Sequence, residues 1–124
     1  MTPAELQAKL EELLILPMET EWIEFKEAKN NFAFDDLGRY FSALSNEANL
    51  KGQPAGWLIC GVTDKLPRQI CGSNYRPHRP SLDDLKGQIA QHTNNHISFE
   101  EIYEHVTSQG RVVMFQIPPA LLQK

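Results

Sequence analysis

Two carboxylates, Glu19 and Glu24, stand five residues apart near the start of the chain. The residues around Glu24 alternate as in a β-strand, which places Ile23 and Phe25 on one face and Glu24 on the other. Glu19 can reach Glu24 only from a turn outside the strand, after Pro17, because an odd spacing within one strand separates the two side chains. Two carboxylates held together repel each other unless a proton or a cation lies between them. This segment is therefore a candidate site for a cation or a shared proton.

A second group of residues with chemical potential lies in a loop that is rich in proline and in bases. Tyr75 offers a ring for stacking on a nucleobase, while Arg76 and Arg79, on either side of His78, offer guanidinium groups for phosphate. A solvated surface loop is the alternative for the same residues. The predicted nucleic-acid-binding set contains six cations and this one aromatic side chain: Lys26, Lys29, Lys51, Arg68, Tyr75, Arg76 and Arg79.

The composition is that of one globular domain. The chain has 124 residues, of which 41% are hydrophobic and 23% charged, as is typical of soluble proteins. No apolar run approaches the roughly 20 residues of a membrane span, and the acidic, amphipathic N-terminal segment does not resemble a secretory signal. The two cysteines are too few for a disulfide framework. We therefore expect a cytoplasmic protein that has no membrane partner.

The net charge of −4 conceals an uneven distribution of charge along the chain. Residues 1–50 carry a net charge of −6, residues 51–92 carry +3 and residues 93–124 carry −1. The whole molecule is therefore not expected to be drawn strongly to a polyanion. Its middle third, however, can present a local basic patch to one.

Hydrophobic periodicity predicts the elements that must position these side chains. Three helices are expected: one that starts at Thr2-Pro3 and ends at Pro17, one capped by Asp35 or Asp36, and one that opens at Ser81. About five strands are expected, at 21–26, 56–62, 68–72, 97–107 and 111–117. The first two strands and the helix between them form a βαβ unit. The prediction is an α+β fold with one mixed sheet.

Three motifs occur in order along the chain: Glu19-x4-Glu24-Phe25-Lys26, Ala43-x2-Asn46 and Gly56-x4-Gly61-Val62-x-Asp64. Together they resemble the Schlafen AlbA-type domain, which is also called the divergent AAA domain and is usually labelled DNA-binding. The likeness extends over about residues 18–117. The chain departs from the family pattern at Leu44-Ser45, where an aromatic-alanine pair is usual. It also departs in the connection Glu47–Gly56, which replaces a shorter Gly-Gly turn.

The resemblance implies an Alba-like fold and, for a bacterial member, a DNA-binding domain of a transcriptional regulator. We therefore expect residues 1–124 to be one domain, the N-terminal fragment of a longer protein, that binds DNA or RNA without a required cofactor. In vertebrate Schlafen proteins, the related core cleaves structured RNA with three metal-binding acids. By position, these metal-binding and catalytic acids correspond to Glu19, Glu24 and Asp64. Such oxygen ligands suit Mg²⁺ or Mn²⁺.

Each of these inferences has an alternative. Glu19 can serve only a turn, Glu24 can pair with Lys26 or an arginine, and Asp64 can belong to a hairpin turn. Relatives generally combine two copies of the domain, so a homodimer is a further expectation. A binding domain predicts affinity with a steep salt dependence and without metal. A metal-dependent endoribonuclease predicts cleavage that needs Mn²⁺ and is lost in Glu24→Ala. A protein-interaction or dimerisation module predicts no affinity for nucleic acid at low salt.

Overall fold

The computed structural model describes residues 1–93 and 97–120. In these ranges the elements run in the order α1 (Pro3–Leu14), β1 (Ile23–Lys26), α2 (Phe34–Leu50), β2 (Gly56–Cys60), α3 (Arg79–Gln91), β3 (Glu101–Thr107) and β4 (Gly110–Ile117). The four strands form one sheet in the order β1-β2-β4-β3. The β1–β2 pair is parallel and the other two pairs are antiparallel. The predicted α+β fold with a mixed sheet is confirmed. None of the helices in the described ranges is long and apolar enough to cross a membrane.

The sheet carries a hydrophobic core on each of its faces. The leucines of α1 pack on one face together with Ile23 and Phe25, which the period-2 pattern of β1 directs there. The buried stripes of α2 and α3 cover the other face, and Phe115 of β4 is fully buried in that core. Glu24 is half-buried and lies on the α2 face. The predicted separation of Glu24 from its two apolar neighbours is confirmed.

The predicted fifth strand at 68–72 is reduced to a single bridge between Val62 and Ile70. The N–H groups of both Cys71 and Gly72 donate to the carbonyl oxygen of Gly61, at 2.8 and 3.0 Å. The chain therefore turns away after one bridging pair, and no ladder continues. The described sheet has four strands rather than about five.

The second helix differs from its prediction at both ends. Its N-cap is Ala33, which forms no side-chain cap, while Asp35 and Asp36 lie in the first turn. Carboxylates in that position favour a helix by interacting with its positive end, so they stabilise the start without capping it. The helix continues to Leu50, into the predicted irregular connection. Glu47 therefore lies on a helix, on the face that also presents Ala43 four residues earlier.

Two glycines of the third motif are required by close packing and by backbone conformation. A Cβ atom on Gly56 would lie 2.7 Å from the Leu44 carbonyl oxygen, because α2 crosses β2 closely at this point. Gly61 has φ of +99°, and a Cβ atom there would lie 2.6 Å from the Arg111 carbonyl oxygen. Any larger residue at either position would force the backbone apart.

Candidate functional site

The three predicted acids line one cleft of about 380 Å³ beside β1. Glu19 comes from the turn before the strand, Glu24 from the strand itself and Asp64 from the loop that follows β2. The N–H of Thr20 donates to the Pro17 carbonyl oxygen at 3.1 Å, so Glu19 lies on a turn, outside the strand. This is the geometry that the convergence of Glu19 and Glu24 requires.

Two further carboxylates, Glu21 and Glu47, line the same cleft and were missed by the sequence analysis. Glu47 was missed because the helix that carries it extends beyond its predicted end. Its spacing of four residues from Ala43 was the available signal, since positions i and i+4 share a helix face. We call this cleft, with its five carboxylates, the acidic cleft: Glu19, Glu21, Glu24, Glu47 and Asp64.

Arg68, which also lines the acidic cleft, is engaged by the backbone. Its Nη1 donates to the carbonyl oxygens of Leu14 and Leu16, at 2.9 and 2.6 Å. Its guanidinium carbon lies 4.3 Å from the centre of the Phe25 ring. The predicted role of Arg68 in binding phosphate is therefore replaced by a structural one, which ties the end of α1 to the loop after β2.

The acidic cleft raises the pKa of Glu24 above its usual value. Burial is the larger cause and the negative charge of Asp64 the second, while nearby Lys26 partly opposes both. Among residues 1–93 and 97–120, however, no group of three or more His, Cys, Asp or Glu side chains is placed to hold a metal ion. The three acids thus share a cleft without forming the ligand set that the resemblance implies, and as placed they do not fit Mg²⁺ or Mn²⁺.

A second candidate region lies at the carboxyl end of β1, where the loop after this strand meets the loop before α3. The N–H of Asn74 donates to the carbonyl oxygen of Lys29 at 3.1 Å. The N–H of Arg76 donates to the side-chain oxygen of Asn31 at 3.0 Å. These bonds bring Lys29 and Arg76 to the strand end that also carries Lys26.

Aromatic side chains organise this end of the strand. The Nζ of Lys26 lies 5.3 Å from the centre of the Phe32 ring and 5.7 Å from that of Tyr40. Tyr75 stacks on Phe32 with ring centres 4.3 Å apart, and it is only 1% exposed. The prediction that Tyr75 stacks on a nucleobase is wrong for this structure, because its ring belongs to the core.

The remaining predicted cations differ in how free their charged groups are to contact a phosphate. Lys29 is 68% exposed and lies 3.6 Å from a neighbouring glutamate. Arg79 is engaged by Asp83, with its Nη2 at 2.8 Å from the carboxylate. Lys51 lies 3.8 Å from Glu21. Since α2 ends where β2 begins, Lys51 lies at the opposite end of the parallel strands from Lys29. The structure thus gathers only part of the predicted set at one end.

A second cleft of about 380 Å³ lies between the two loops at the carboxyl end of β1. We call it the loop pocket, and it is lined by Asn31, Phe32, Tyr75, Arg76, Pro77, His78 and Ser81. No carboxylate of the described residues is among these lining side chains. Tyr75, Arg76 and His78 were candidates from the sequence, whereas Asn31 and Phe32 were missed because they come from a separate segment that shares no motif with that loop.

Arg111 holds the loop that forms the pocket, and nothing in the sequence analysis pointed to it. Its guanidinium donates to the carbonyl oxygens of Ser73, Tyr75 and Arg76 at distances of 3.1, 2.8 and 2.9 Å. Its Nε pairs with Glu104 on the neighbouring strand β3. Arg111 therefore fixes the backbone of the loop without presenting its own charge to solvent.

Comparison with known proteins places this structure in a family. The sequence model of the family described as Schlafen, AlbA_2 matches residues 19–124. A solution NMR structure from Nitrosomonas europaea has a similar fold; it is the N-terminal domain of a RecG-related protein, a candidate ATP-dependent DNA helicase. That match has a TM-score of 0.56 and 18% identity, and it covers 97% of this chain and 74% of the other. A crystal structure of the DIP2311 protein from Corynebacterium diphtheriae has a TM-score of 0.45 and 19% identity, and the match covers 94% of this chain and 22% of that one. No match is found among curated protein sequences.

Proposed function

The chain belongs to the Schlafen, AlbA_2 family, and we propose that it is a nucleic-acid-binding domain whose contact surface is the carboxyl end of β1. The observation that supports this proposal is the gathering of Lys26, Lys29 and Arg76 by two loops that are hydrogen-bonded to each other. The family resemblance, which implies DNA binding, agrees with it. We call these three residues the cationic end.

The distribution of charge gives the proposed complex an orientation. Phosphates are attracted to the cationic end and repelled by the five carboxylates of the acidic cleft. Because the net charge of the protein is −4, binding must depend on local contacts and must weaken steeply as salt rises. We propose DNA as the ligand and regulation of transcription in the bacterial cytoplasm as the setting.

The test is a titration with duplex DNA and structured RNA at two salt concentrations. The variant replaces Lys26, Lys29 and Arg76 together with glutamine. Its matched control replaces three cations that lie away from the cationic end, Lys9, Lys51 and Lys86, so that the net charge of both variants is equal. We expect the first variant to reduce the slope of log affinity against log salt by about two to three, because each lost phosphate contact contributes roughly 0.9. The control should keep nearly the whole slope.

Two results would contradict the proposal. Equal effects of the two triple variants would show that only net charge matters, and absence of binding at low salt would favour the interaction module. The same titration with Mn²⁺ tests the nuclease alternative, which the family resemblance implies and which the placement of the three acids does not support. Cleavage that needs Mn²⁺ and disappears in Glu24→Ala would support it. Dimerisation stays a prediction, to be measured by analytical ultracentrifugation.

A further inference from the structure

Exposed apolar side chains gather at the carboxyl end of α1. The described residues include six large hydrophobic residues that are exposed, and three of the six lie in this region: Ile15, Met18 and Leu66. Ile15 follows the last turn of the helix and is 83% exposed, while Leu66 belongs to the loop after β2 and is 54% exposed. Single apolar side chains are common on protein surfaces, whereas a cluster of them indicates a contact surface.

A groove of about 690 Å³ lies between the end of α1 and the loop after β2. We call it the apolar groove, and its lining residues are Glu11, Leu14, Ile15, Leu66, Pro67 and Arg68. Its two sides are tied together, because the Arg68 guanidinium donates to the carbonyl oxygens of Leu14 and Leu16. A partner therefore meets a preformed groove, and binding does not have to order the backbone that forms it.

Arg68 joins the apolar groove to the acidic cleft, because its side chain lines both. Its Nη2 also lies 3.7 Å from the sulfur of Met18, the exposed methionine of the acidic cleft. The two depressions therefore form one continuous surface, which presents the five carboxylates of the cleft and that of Glu11. Lys51, which pairs with one of these carboxylates, and Lys65, between two lining residues in the chain, do not balance that charge.

The sign of this charge decides which class of partner the surface can accept. Nucleic acids and anionic membranes are repelled by the carboxylates. A second copy of the chain that bound through the same surface would double the number of carboxylates at the interface, which opposes a symmetric dimer. A polypeptide segment that carries both cationic and apolar side chains is complementary to the whole surface, because its cations meet the carboxylates while its apolar side chains leave water.

We propose that the apolar groove and the acidic cleft together form a docking surface for a basic, amphipathic segment of a partner protein. Apolar side chains of that segment occupy the groove between Ile15 and Leu66, and its lysine or arginine side chains pair with the carboxylates of the cleft. This inference goes beyond the proposed function and does not depend on it, because no lining residue of the docking surface belongs to the cationic end. The chain then has one surface for nucleic acid and another for a protein.

The experiment first selects binders of the wild-type protein from a displayed library of random peptides of about 16 residues, the length of roughly four helical turns. We expect the enriched peptides to combine aliphatic or aromatic residues with lysine or arginine, and to be poor in aspartate and glutamate. One enriched peptide is then synthesised with a fluorescent label, and its affinity for wild type and for variants is measured by anisotropy.

Two pairs of variants test the apolar part of the surface. Ile15→Ser combined with Leu66→Ser removes two apolar contacts of the groove. Leu50→Ser combined with Val106→Ser is the matched control, because these two side chains are each 73% exposed and line neither the groove nor the cleft. We expect the first pair to weaken peptide binding about tenfold or more and the control to stay within about twofold of wild type.

A second comparison tests the acidic part. Glu19→Gln combined with Glu21→Gln removes two exposed carboxylates of the cleft, and Asp84→Asn combined with Glu100→Gln removes two exposed carboxylates elsewhere. We expect the first pair to weaken peptide binding about threefold to fivefold and to reduce its dependence on salt, with little change in the second. All eight substituted side chains are exposed, so the urea midpoints should match that of wild type. Loss of peptide affinity at an unchanged midpoint supports the docking surface.

Several results would overturn the proposal. These are a library without enriched peptides, enriched peptides that are acidic, and equal peptide affinities for the Ile15–Leu66 pair and its control. A wild-type dimer that the same pair converts to a monomer in sedimentation would identify a second copy as the occupant instead. Oligonucleotide affinity of this pair should stay within about twofold of wild type, and a larger loss would assign the groove to nucleic acid. Peptide binding without any oligonucleotide binding at low salt would leave the docking surface standing and the proposed function wrong.

Discussion

The acidic cleft and the loop pocket have the same volume, about 380 Å³ each, and opposite chemistry. Five carboxylates line the first, where the one arginine of the lining donates to backbone carbonyls. Donor groups line the second, which has no carboxylate in the described part of the chain. Shape alone therefore does not distinguish the two candidate sites, and the sign of the charge decides which of them can receive a phosphate.

One strand connects the two regions. Glu24 and Lys26 are two residues apart in β1 and therefore lie on the same face, so this strand supplies an acid to one cleft and a base to the other end. Each region is also fixed by an arginine that spends its donors on backbone carbonyls, Arg68 beside the acidic cleft and Arg111 beside the loop pocket. The arginines that hold the backbone of each region, Arg68 and Arg111, are therefore not the ones whose guanidinium groups are available to a ligand.

The largest expected effect comes from removing the anchor of the loop pocket. Arg111→Met leaves Glu104 without its ion-pair partner and three loop carbonyls without their donor. We expect a loss of about 3 kcal/mol in the free energy of unfolding, measured in urea, because a largely buried charge loses its partner. Nucleic-acid binding through the cationic end should weaken as well, since the loop that carries Arg76 is no longer held.

Arg79→Met is the control for this prediction, because it removes an arginine from an exposed pair with Asp83. Its cost should be below about 1 kcal/mol. If Arg111→Met were equally mild, the loop would be held by its other bonds, such as that from Ser73 Oγ to the Ala28 carbonyl oxygen at 2.6 Å. The contrast between an anchoring and a surface arginine would then fail.

A smaller effect is expected at the anchor of the acidic cleft. Arg68→Met keeps an unbranched apolar side chain and removes the guanidinium, with its contact to the Phe25 ring and its bonds to Leu14 and Leu16. We expect a loss of about 1–2 kcal/mol in urea denaturation, the value of hydrogen bonds from a charged donor at a half-buried position. Nucleic-acid affinity should stay within about twofold of wild type, because these donors are already engaged. A clear loss of affinity, without greater instability, would restore Arg68 to the binding surface.

The strand β1 and the turn before it could be predicted from the sequence. The alternation at Ile23 and Phe25 correctly predicted a strand with Glu24 on the opposite face. The turn expected after Pro17 places Glu19 outside the strand, and Glu19 lines one cleft together with Glu24. These successes share a cause, since each depends on periodicity or on a local rule that acts over a few residues.

The sequence was insufficient where tertiary packing decides the environment of a side chain. Tyr75 stands among bases and prolines, which favours an exposed loop, yet contacts with Phe32 and Phe115 place it in the core. In the sequence, Arg111 is indistinguishable from an ordinary strand residue, because the carbonyl oxygens to which its guanidinium donates belong to residues 35 to 38 positions earlier. These contacts join residues that are far apart in the sequence, so no local sequence pattern predicts them.

The smallest effect is expected from Glu24 and depends on pH. Burial and Asp64 raise the pKa of Glu24, so the folded protein holds this proton more tightly than the unfolded chain does. Ionised Glu24 therefore destabilises the fold: the penalty is absent below the ordinary carboxyl pKa, grows as pH rises towards the raised pKa and is complete above it. Glu24→Gln should raise stability by about 0.5 kcal/mol at pH 7 and be neutral near about pH 3. Urea denaturation across this range, with the exposed Glu12→Gln as control, measures the difference. If Glu24→Gln raised the free energy of unfolding equally at every pH, the ionised form of Glu24 would not be the cause. Repulsion among the carboxylates would then not distinguish the acidic cleft from the loop pocket.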